Sequence, residues 1–314
     1  MTLSTFLKLV EIQTKIASVF PFLIGILFVN YRFGSFHLMN TIIFFVAMLC
    51  FDLTTTAINN YMDYLKASSE VYRRERNIIG QKQIAESTVI LTIVSLLVIA
   101  SSLGIWLVSR TDLFVLFVGM LCFAIGIFYT FGPIPLSRMP LGEVFSGVAM
   151  GFGIVFLAVY VNAYDQGIVQ LIWEGRTVSF YADLVLLFEI VLISLPCIFT
   201  IANLMLANNI CDLEEDIDNH RYTLPYYIGK KYAVWLFNAL YALSFVALIL
   251  AVLLNLLPPL LLFILLVGYP VYQQVQKFNQ KQEKTETFIV AVKNLVLVNA
   301  SFVALLFLSL LLFQ

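Results

Sequence analysis

The chain has 314 residues, of which 61% are hydrophobic and only 12% are charged. Soluble domains are about 45–50% apolar and about 25% charged, so a water-soluble fold of this length could not cover so much apolar surface. The net charge of −1 gives no electrostatic basis for nucleic-acid binding. The composition therefore predicts an integral membrane protein that is surrounded by the lipid bilayer and has no nucleic-acid partner.

The four cysteines lie in or beside apolar stretches, and no two of them form a C-x-x-C pair. Closely spaced pairs are typical of zinc sites, and disulfide frameworks are typical of small secreted domains. We therefore interpret these thiols as small side chains within the apolar interior. They are Cys50, Cys122, Cys197 and Cys211.

Nine stretches are long and apolar enough to cross a bilayer, whose hydrocarbon core of about 30 Å requires about 20 helical residues. Only helices satisfy their own backbone in lipid, so we predict an all-α bundle of nine transmembrane helices in one domain, 1–314. The first stretch is too long for a cleaved signal peptide and contains Pro21, so it counts as a span. The predicted spans are residues 9–30, 39–63, 87–108, 112–131, 142–163, 183–208, 231–253, 256–274 and 289–313.

Lysine and arginine residues are distributed unevenly between the two sides of this predicted bundle. If the N-terminus is cytoplasmic, 13 of the 18 basic residues fall on the cytoplasmic side and three outside. Lys15 and Lys293 lie within spans. This excess follows the positive-inside rule and predicts a cytoplasmic N-terminus and an outside C-terminus.

Residues four positions apart share a helix face, and two polar stripes of this kind occur at cytoplasmic helix ends. Asn59 and Asp63 end the second span, and Glu70 extends their stripe if the helix continues that far. Clustered oxygen ligands suit Mg²⁺, which usually takes one or two carboxylates and completes its shell with water and phosphates. The longer stripe, which ends the sixth span, comprises Asn208, Asp212, Glu215, Asp216 and Asn219.

The two polar stretches also resemble each other in sequence. Asn59-Asn60-Tyr61-Met62-Asp63-Tyr64 parallels residues 208–213, and a basic stretch ending in glycine follows each of them. The arginines of these stretches are suited to bind phosphate oxygens. A single acidic run is usually a solvated helix end, but a second run with the same spacing favours a binding site. We therefore predict two half-sites that face one central cavity open to the cytoplasm.

Charged residues inside the spans leave one other function open. Asp52 shares a helix face with Asn59 and Asp63, and a charge at the bilayer centre costs about 2.5–3.5 kcal/mol, so such residues normally serve function. With Lys15 and Lys293, Asp52 is compatible with ion coupling in a secondary transporter. The concentration of acids and arginines on one side instead favours a phosphate site.

The paired Asn-x-x-x-Asp runs on the second and sixth helices resemble the two aspartate-rich motifs of the UbiA-type intramembrane prenyltransferases. Helix number, topology and motif placement extend the resemblance over nearly the whole chain. Within that superfamily, residues 11–15, 129–138 and 207–216, the last followed by 221–225, resemble the 1,4-dihydroxy-2-naphthoate polyprenyltransferase branch. Residues 141–143 fit the same branch.

The resemblance implies an enzyme that transfers a polyprenyl group from polyprenyl diphosphate to 1,4-dihydroxy-2-naphthoate and forms demethylmenaquinone. It implies the plasma membrane of a bacterium, with the active site facing the cytoplasm. The implied Mg²⁺ ligands are Asn59, Asp63, Asn208, Asp212 and Asp216, and of these Asp63, Asp212 and Asp216 are the catalytic acids. The implied substrate-binding residues are Lys66, Arg76 and Arg221 for the diphosphate, and Lys15, Tyr129 and Arg138 for the aromatic acceptor.

The first motif departs from the family pattern. Asn60 stands where the family has Asp, and Ala67 stands at the downstream acidic position. The sequence leaves open weaker Mg²⁺ binding by the second helix, use of Glu70 instead, a different aromatic acceptor such as a hydroxybenzoate, or loss of activity. The altered motif also leaves open a non-enzymatic quinone-binding protein. The intact motif on the sixth helix favours an active enzyme.

Overall fold

The computed structural model describes residues 1–67, 70, 72–130 and 138–313. Eight helical segments in this part of the chain are long and apolar enough to cross a membrane, and each matches a predicted span. This confirms the prediction of a helical integral membrane protein. The eight segments are Ile12–Phe33, Leu38–Lys66, Glu86–Arg110, Gly142–Tyr160, Leu184–Cys211, Lys230–Leu253, Pro259–Gln280 and Ile289–Leu312.

The remaining predicted span, 112–131, which is the fourth in chain order, falls on a shorter apolar helix, Leu113–Tyr129. The total of nine spans, the sidedness of the termini and the central cavity therefore stay predictions. Residues 131–137, part of the stretch 129–138 that carries the resemblance, lie outside the described residues.

In chain order the α-helices are α1 (Leu3–Leu9), α2 (Ile16–Phe33), α3 (Leu38–Lys66), α4 (Ile78–Gln81), α5 (Glu86–Arg110), α6 (Leu113–Thr130), α7 (Gly142–Ser146), α8 (Ile154–Tyr160), α9 (Leu184–Cys211), α10 (Leu213–Asp218), α11 (Leu224–Ile228), α12 (Lys230–Leu253), α13 (Gly268–Gln280) and α14 (Ile289–Phe313). Among the described residues, 3₁₀ segments (Ile12–Lys15, Pro259–Val267) and π-helical segments (Tyr72–Arg76, Gly147–Gly153) connect some of them. The strands β1 (Val169–Glu174) and β2 (Thr177–Ala182) form a hairpin.

Residues 1–16 and 38–135 form one compact unit. Helix α3 packs along α5 and also contacts α6, and the N-terminal segment lies against α3 and α4. Glu11 adopts a left-handed backbone with φ of 47°, which separates α1 from the following 3₁₀ segment. An apolar core joins the N-terminal segment to α3, α4 and α5. It comprises Leu9, Val10, Leu53, Ala57, Ile79 and Val89.

Residues 17–37 and 136–314 form the second unit, in which α9 is the central helix. Helices α12 and α14 pack against α9, and so does the π-helical segment Gly147–Gly153. Helix α9 lies inside the unit because most of its residues are apolar, and such a helix has no polar face that has to meet water. Near Asp212 the core includes Leu206, Ile210, Phe237, Val275 and Phe278.

The hairpin lies in the loop that connects the fifth and sixth predicted spans. Its strands pair in antiparallel register, from Val169 opposite Ala182 to Glu174 opposite Thr177. The tip residue Gly175 has φ of 62°, a conformation that glycine adopts without steric cost. The all-α prediction is therefore incomplete at this one place in the described chain.

Gly151 allows the π-helical segment to approach α9 closely. A Cβ at this position would lie 2.6 Å from both the backbone nitrogen and the Cα of Ile198. We predict that Gly151→Ala destabilises the protein by about 1–3 kcal/mol, because α9 has to move to relieve the overlap. Thermal unfolding in detergent measures the effect.

Gly153→Ala is the matched control for this prediction. A Cβ there meets its nearest neighbour, the Val148 carbonyl oxygen, at 3.8 Å, which is an ordinary contact. Equal unfolding temperatures for the two variants would show that the close approach at Gly151 does not constrain the fold.

Candidate metal and diphosphate site

The polar stripe predicted on the sixth span lies at the junction of α9 and α10. Asp212 closes α9 by donating its backbone N–H to the Asn208 carbonyl at 3.0 Å, and α10 begins at the next residue. The side chains of Asn208 and Asp212 are half-buried and lie one helical turn apart. The end of α9 thus presents an amide oxygen and a carboxylate on one face.

Lys284 binds both of these side chains, although it was not among the predicted site residues. The ammonium of Lys284, between α13 and α14, donates to the side-chain oxygen of Asn208 and to Oδ2 of Asp212, the latter at 2.5 Å. The same ammonium lies 5.0 Å from the centroid of the Phe288 ring. Two hard oxygen atoms thus converge on a cation, and oxygen atoms of this kind are the ligands that Mg²⁺ takes from proteins.

Asp216 is buried on α10 beside Arg221. Its Oδ1 lies 3.4 Å from Nε of Arg221, and its backbone carbonyl accepts a hydrogen bond from the Arg221 N–H at 2.8 Å. Burial raises the pKa of the Asp216 carboxyl to about 6; nearby Arg221 partly opposes this shift, whereas the charge of Asp212 adds to it. The structure therefore brings together two predicted site residues, one assigned to the metal and one to the diphosphate.

A buried hydrogen bond supports the helix turn that carries Asn208. Nδ2 of Asn209 donates to Oε1 of Glu143 on α7 at 2.8 Å, and both side chains are buried. Glu143 belongs to one of the stretches that carry the family resemblance, but the sequence analysis gave it no role. The contact joins α7 to the end of α9.

The predicted acceptor-binding residues Tyr129 and Arg138 have different surroundings. Tyr129 is half-buried in the last turn of α6. The backbone carbonyl of Arg138 accepts a hydrogen bond from the N–H of Tyr222 at 3.2 Å, so Arg138 lies against the loop that carries Arg221. Arg138 is therefore held next to a predicted diphosphate-binding residue.

The shorter polar stripe lies in the last turns of α3, where Asn59 and Asp63 are half-buried. Helix α3 ends at Lys66, so the possible extension of this polar stripe to Glu70 along the same helix does not occur. Glu70 instead forms an exposed ion pair with Arg74, with Oε1 2.8 Å from Nε.

The predicted diphosphate-binding residues of this unit, Lys66 and Arg76, are both exposed. Lys66 is the last residue of α3, and Arg76 ends the π-helical segment Tyr72–Arg76. Both cations are therefore accessible to an anionic ligand near the C-terminal end of α3.

The departure at Asn60 has a packing explanation. Nδ2 of Asn60 donates to the backbone carbonyl of Leu9 at 2.9 Å and to the Glu11 carboxylate at 3.3 Å. The backbone carbonyl of Asn60 accepts a hydrogen bond from Nδ2 of Asn77 at 2.8 Å. An aspartate could not donate to Leu9 and would be repelled by Glu11. Asn60 therefore holds the N-terminal segment against α3.

Lys15 and Asp52 form a buried ion pair. Nζ of Lys15 lies 2.8 Å from Oδ1 of Asp52 and 2.5 Å from the hydroxyl of Thr56, and the Lys15 side chain is 5% exposed. This pairing explains how two charged residues are accommodated within predicted spans. The Lys15 ammonium, predicted to bind the acceptor carboxylate, already contacts a carboxylate of the protein.

Within the described residues, no group of three or more His, Cys, Asp or Glu side chains is arranged to hold a metal ion. Mg²⁺ does not require such a group, because it usually takes one or two carboxylates together with water and substrate phosphates. Asn208 and Asp212 supply an amide oxygen and one carboxylate, and both already contact a cation. The donor set at the end of α9 fits Mg²⁺ in this respect.

Comparison with solved structures places the fold. The chain is similar to a UbiA homolog from Aeropyrum pernix K1, with a TM-score of 0.69, 17% identity, and coverage of 93% of this chain and 98% of that one. It is also similar to a UbiA homolog from Archaeoglobus fulgidus bound to DMAPP and Mg²⁺, with a TM-score of 0.64, 13% identity, and coverage of 98% and 99%. At these identities the similarity shows a shared fold.

Comparison of sequences gives the family. The chain is 28% identical over 312 residues to the 1,4-dihydroxy-2-naphthoate octaprenyltransferase of Bacillus subtilis (strain 168), covering 97% of this chain and 91% of the relative. The model of the UbiA prenyltransferase family matches residues 18–295. Because that match spans most of the chain and the fold agrees with it, this protein belongs to the UbiA prenyltransferase family.

Proposed function

We propose that this protein transfers a polyprenyl group from polyprenyl diphosphate to 1,4-dihydroxy-2-naphthoate and thereby forms demethylmenaquinone. It acts in the plasma membrane of a bacterium, with its acidic helix ends on the cytoplasmic side. The observation that carries the proposal lies at the end of the membrane-spanning helix α9. There the side chains of Asn208 and Asp212 converge on one cation, the ammonium of Lys284. The similarity to the Bacillus subtilis naphthoate enzyme supports the choice of acceptor.

Asn208, Asp212 and Asp216 would hold Mg²⁺ at the end of α9, and Asn59 and Asp63 would hold it at the end of α3. Held by these residues, Mg²⁺ would neutralise negative charge on the diphosphate. Arg221 binds a diphosphate oxygen when it turns from Asp216, and the exposed Lys66 and Arg76 add further positive charge. Such cations stabilise the leaving group as its bond to the prenyl carbon breaks.

The acceptor carboxylate binds more readily to Arg138 than to Lys15. Lys15 already pairs with Asp52, and a substrate carboxylate would have to displace that partner in a buried setting. Arg138 is held beside the loop that carries Arg221. Tyr129 contributes the electron-rich face of its ring, which favours a nearby carbocation.

The proposal is tested by prenyl transfer in membranes that contain the protein, with 1,4-dihydroxy-2-naphthoate, a series of polyprenyl diphosphates, and product mass as the readout. We expect Mg²⁺-dependent product and a loss of about 10²-fold or more in Asp212→Asn and in Asp63→Asn, because each loses a charged ligand. The exposed Asp218→Asn on α10 is the matched control and keeps its activity. Full activity in Asp212→Asn would contradict the proposed site, and product with only a hydroxybenzoate would identify a different acceptor.

Lys284 occupies the position proposed for the ion, so it has to move when a divalent cation binds. We predict that Lys284→Met binds Mn²⁺, measured by electron paramagnetic resonance as a substitute for Mg²⁺, roughly twofold to fivefold more tightly. Exposed ion pairs contribute about 0.2–1 kcal/mol, and this competing interaction is removed. The control is Lys281→Met, because Lys281 pairs with Glu283 and Glu286 instead. Weaker Mn²⁺ binding by Lys284→Met would show that Lys284 supports the site rather than competing for it.

The raised pKa of Asp216 predicts a pH dependence of metal binding. The carboxyl is largely protonated below about pH 6 and ionised above it, and only the ionised form binds a divalent cation well. We therefore expect Mn²⁺ affinity to rise as the pH passes upward through about 6. Asp216→Asn should bind more weakly and lose this step, and an unchanged step in that variant would assign it to another group.

A further inference from the structure

The β1–β2 hairpin has one apolar face. Side chains alternate along a strand, and directly paired residues of two strands lie on the same face. Leu171 pairs with Phe180, and Trp173 pairs with Val178, so these four residues share a face. The opposite face comprises Gln170, Ile172, Glu174, Thr177, Ser179 and Tyr181.

The apolar face is exposed in the folded chain. Trp173 is 61% exposed, Val178 51% and Phe180 61%. In water such a cluster would cost free energy in proportion to its apolar area, and exposed apolar patches usually mark a binding surface. A partner of apolar character is therefore required beyond this chain's own residues.

The base of the hairpin is anchored to two helices. The hydroxyl of Tyr160, at the end of α8, donates to the Val169 carbonyl at 3.1 Å, and both residues are buried. The N–H of Asp183 donates to the Ile168 carbonyl at 3.0 Å, and the Asp183 carboxylate caps α9 through the N–H of Val185. The hairpin is therefore held where α9 begins.

The length of α9 places that point at a membrane surface. Its 28 residues span about 42 Å, which equals the thickness of a bilayer including its headgroups. The first turns of α9 expose Leu184 at 76%, Val185 at 66% and Phe188 at 53%, as a lipid-facing helix does. The apolar face of the hairpin thus begins next to a helix surface that is both apolar and exposed.

We propose that the face formed by Leu171, Trp173, Val178 and Phe180 lies in the headgroup region of the bilayer, at the end of α9 opposite to Asp212. Tryptophan is enriched at this depth because its ring is apolar while its N–H needs a polar partner. The polar tip, with Glu174 and Arg176, then faces headgroups and water. The hairpin fixes the depth of α9 in the membrane and is independent of the proposed reaction.

The test uses a chain in which Trp173 is the only tryptophan, with Trp106 and Trp235 replaced by phenylalanine. It is reconstituted into phosphatidylcholine vesicles whose acyl chains carry bromine at known depths. We expect lipid brominated at a shallow depth to quench the fluorescence of Trp173 at least threefold more strongly than aqueous acrylamide does, when the two quenchers are compared at equal collision rates. The control combines Ile172→Trp with Trp173→Phe, which moves the indole to the opposite face, and this control should show the reverse preference.

A second measurement covers the case in which the tryptophan variants do not fold. Val178→Cys and Thr177→Cys, made after the four native cysteines are replaced by alanine, carry a nitroxide whose accessibility to oxygen and to a nickel chelate is compared. Oxygen should favour position 178, and the nickel chelate position 177. Equal access of the water-soluble quencher to both faces would overturn the proposal. Protection of Trp173 from both lipid and water would also overturn it, and would indicate a second copy of the chain on this face.

Discussion

A charge inside an apolar helical bundle is costly unless an opposite charge or a hydrogen-bonding group compensates it, and this requirement organises the polar part of the protein. The described ion pairs differ in exposure. The pair of Lys15 and Asp52 is almost dry, whereas Lys284 beside Asp212 is partly solvated. Interior pairs of the first kind hold segments together, and accessible pairs of the second kind can exchange partners. The further described pairs that involve buried carboxylates are Arg32–Glu189 and Arg221–Asp216.

The same requirement explains the state of the candidate site. Asn208, Asp212 and Asp216 concentrate oxygen ligands at the end of α9, and Lys284 and Arg221 supply the balancing charge. Under the proposed function, a divalent ion that arrived with a diphosphate would bring both a cation for the carboxylates and an anion for Lys284 and Arg221. Binding can therefore proceed by exchange of partners, without leaving a bare charge next to the apolar core.

The long helix α9 connects two different kinds of surface. One end carries Asp212 and the polar stripe, while the other end begins at Asp183 beside the amphipathic hairpin. Between them Gly151 allows the π-helical segment to pack directly on the α9 backbone near Ile198. The proposed depth of the hairpin in the bilayer and the height of the acidic end are therefore linked through one helix.

The spans were predictable from sequence because a helix in lipid has to consist of apolar residues along its own length, which is a local property. The polar stripes on α3 and α9 were predictable for the same reason, since residues four apart share a face in any helix. The role of Asn60 was not predictable, because its partners Leu9 and Glu11 come from another segment that local pattern does not specify. Lys284 lies 72 residues from Asp212 in a loop of ordinary composition, so only tertiary packing could bring its ammonium to that carboxylate.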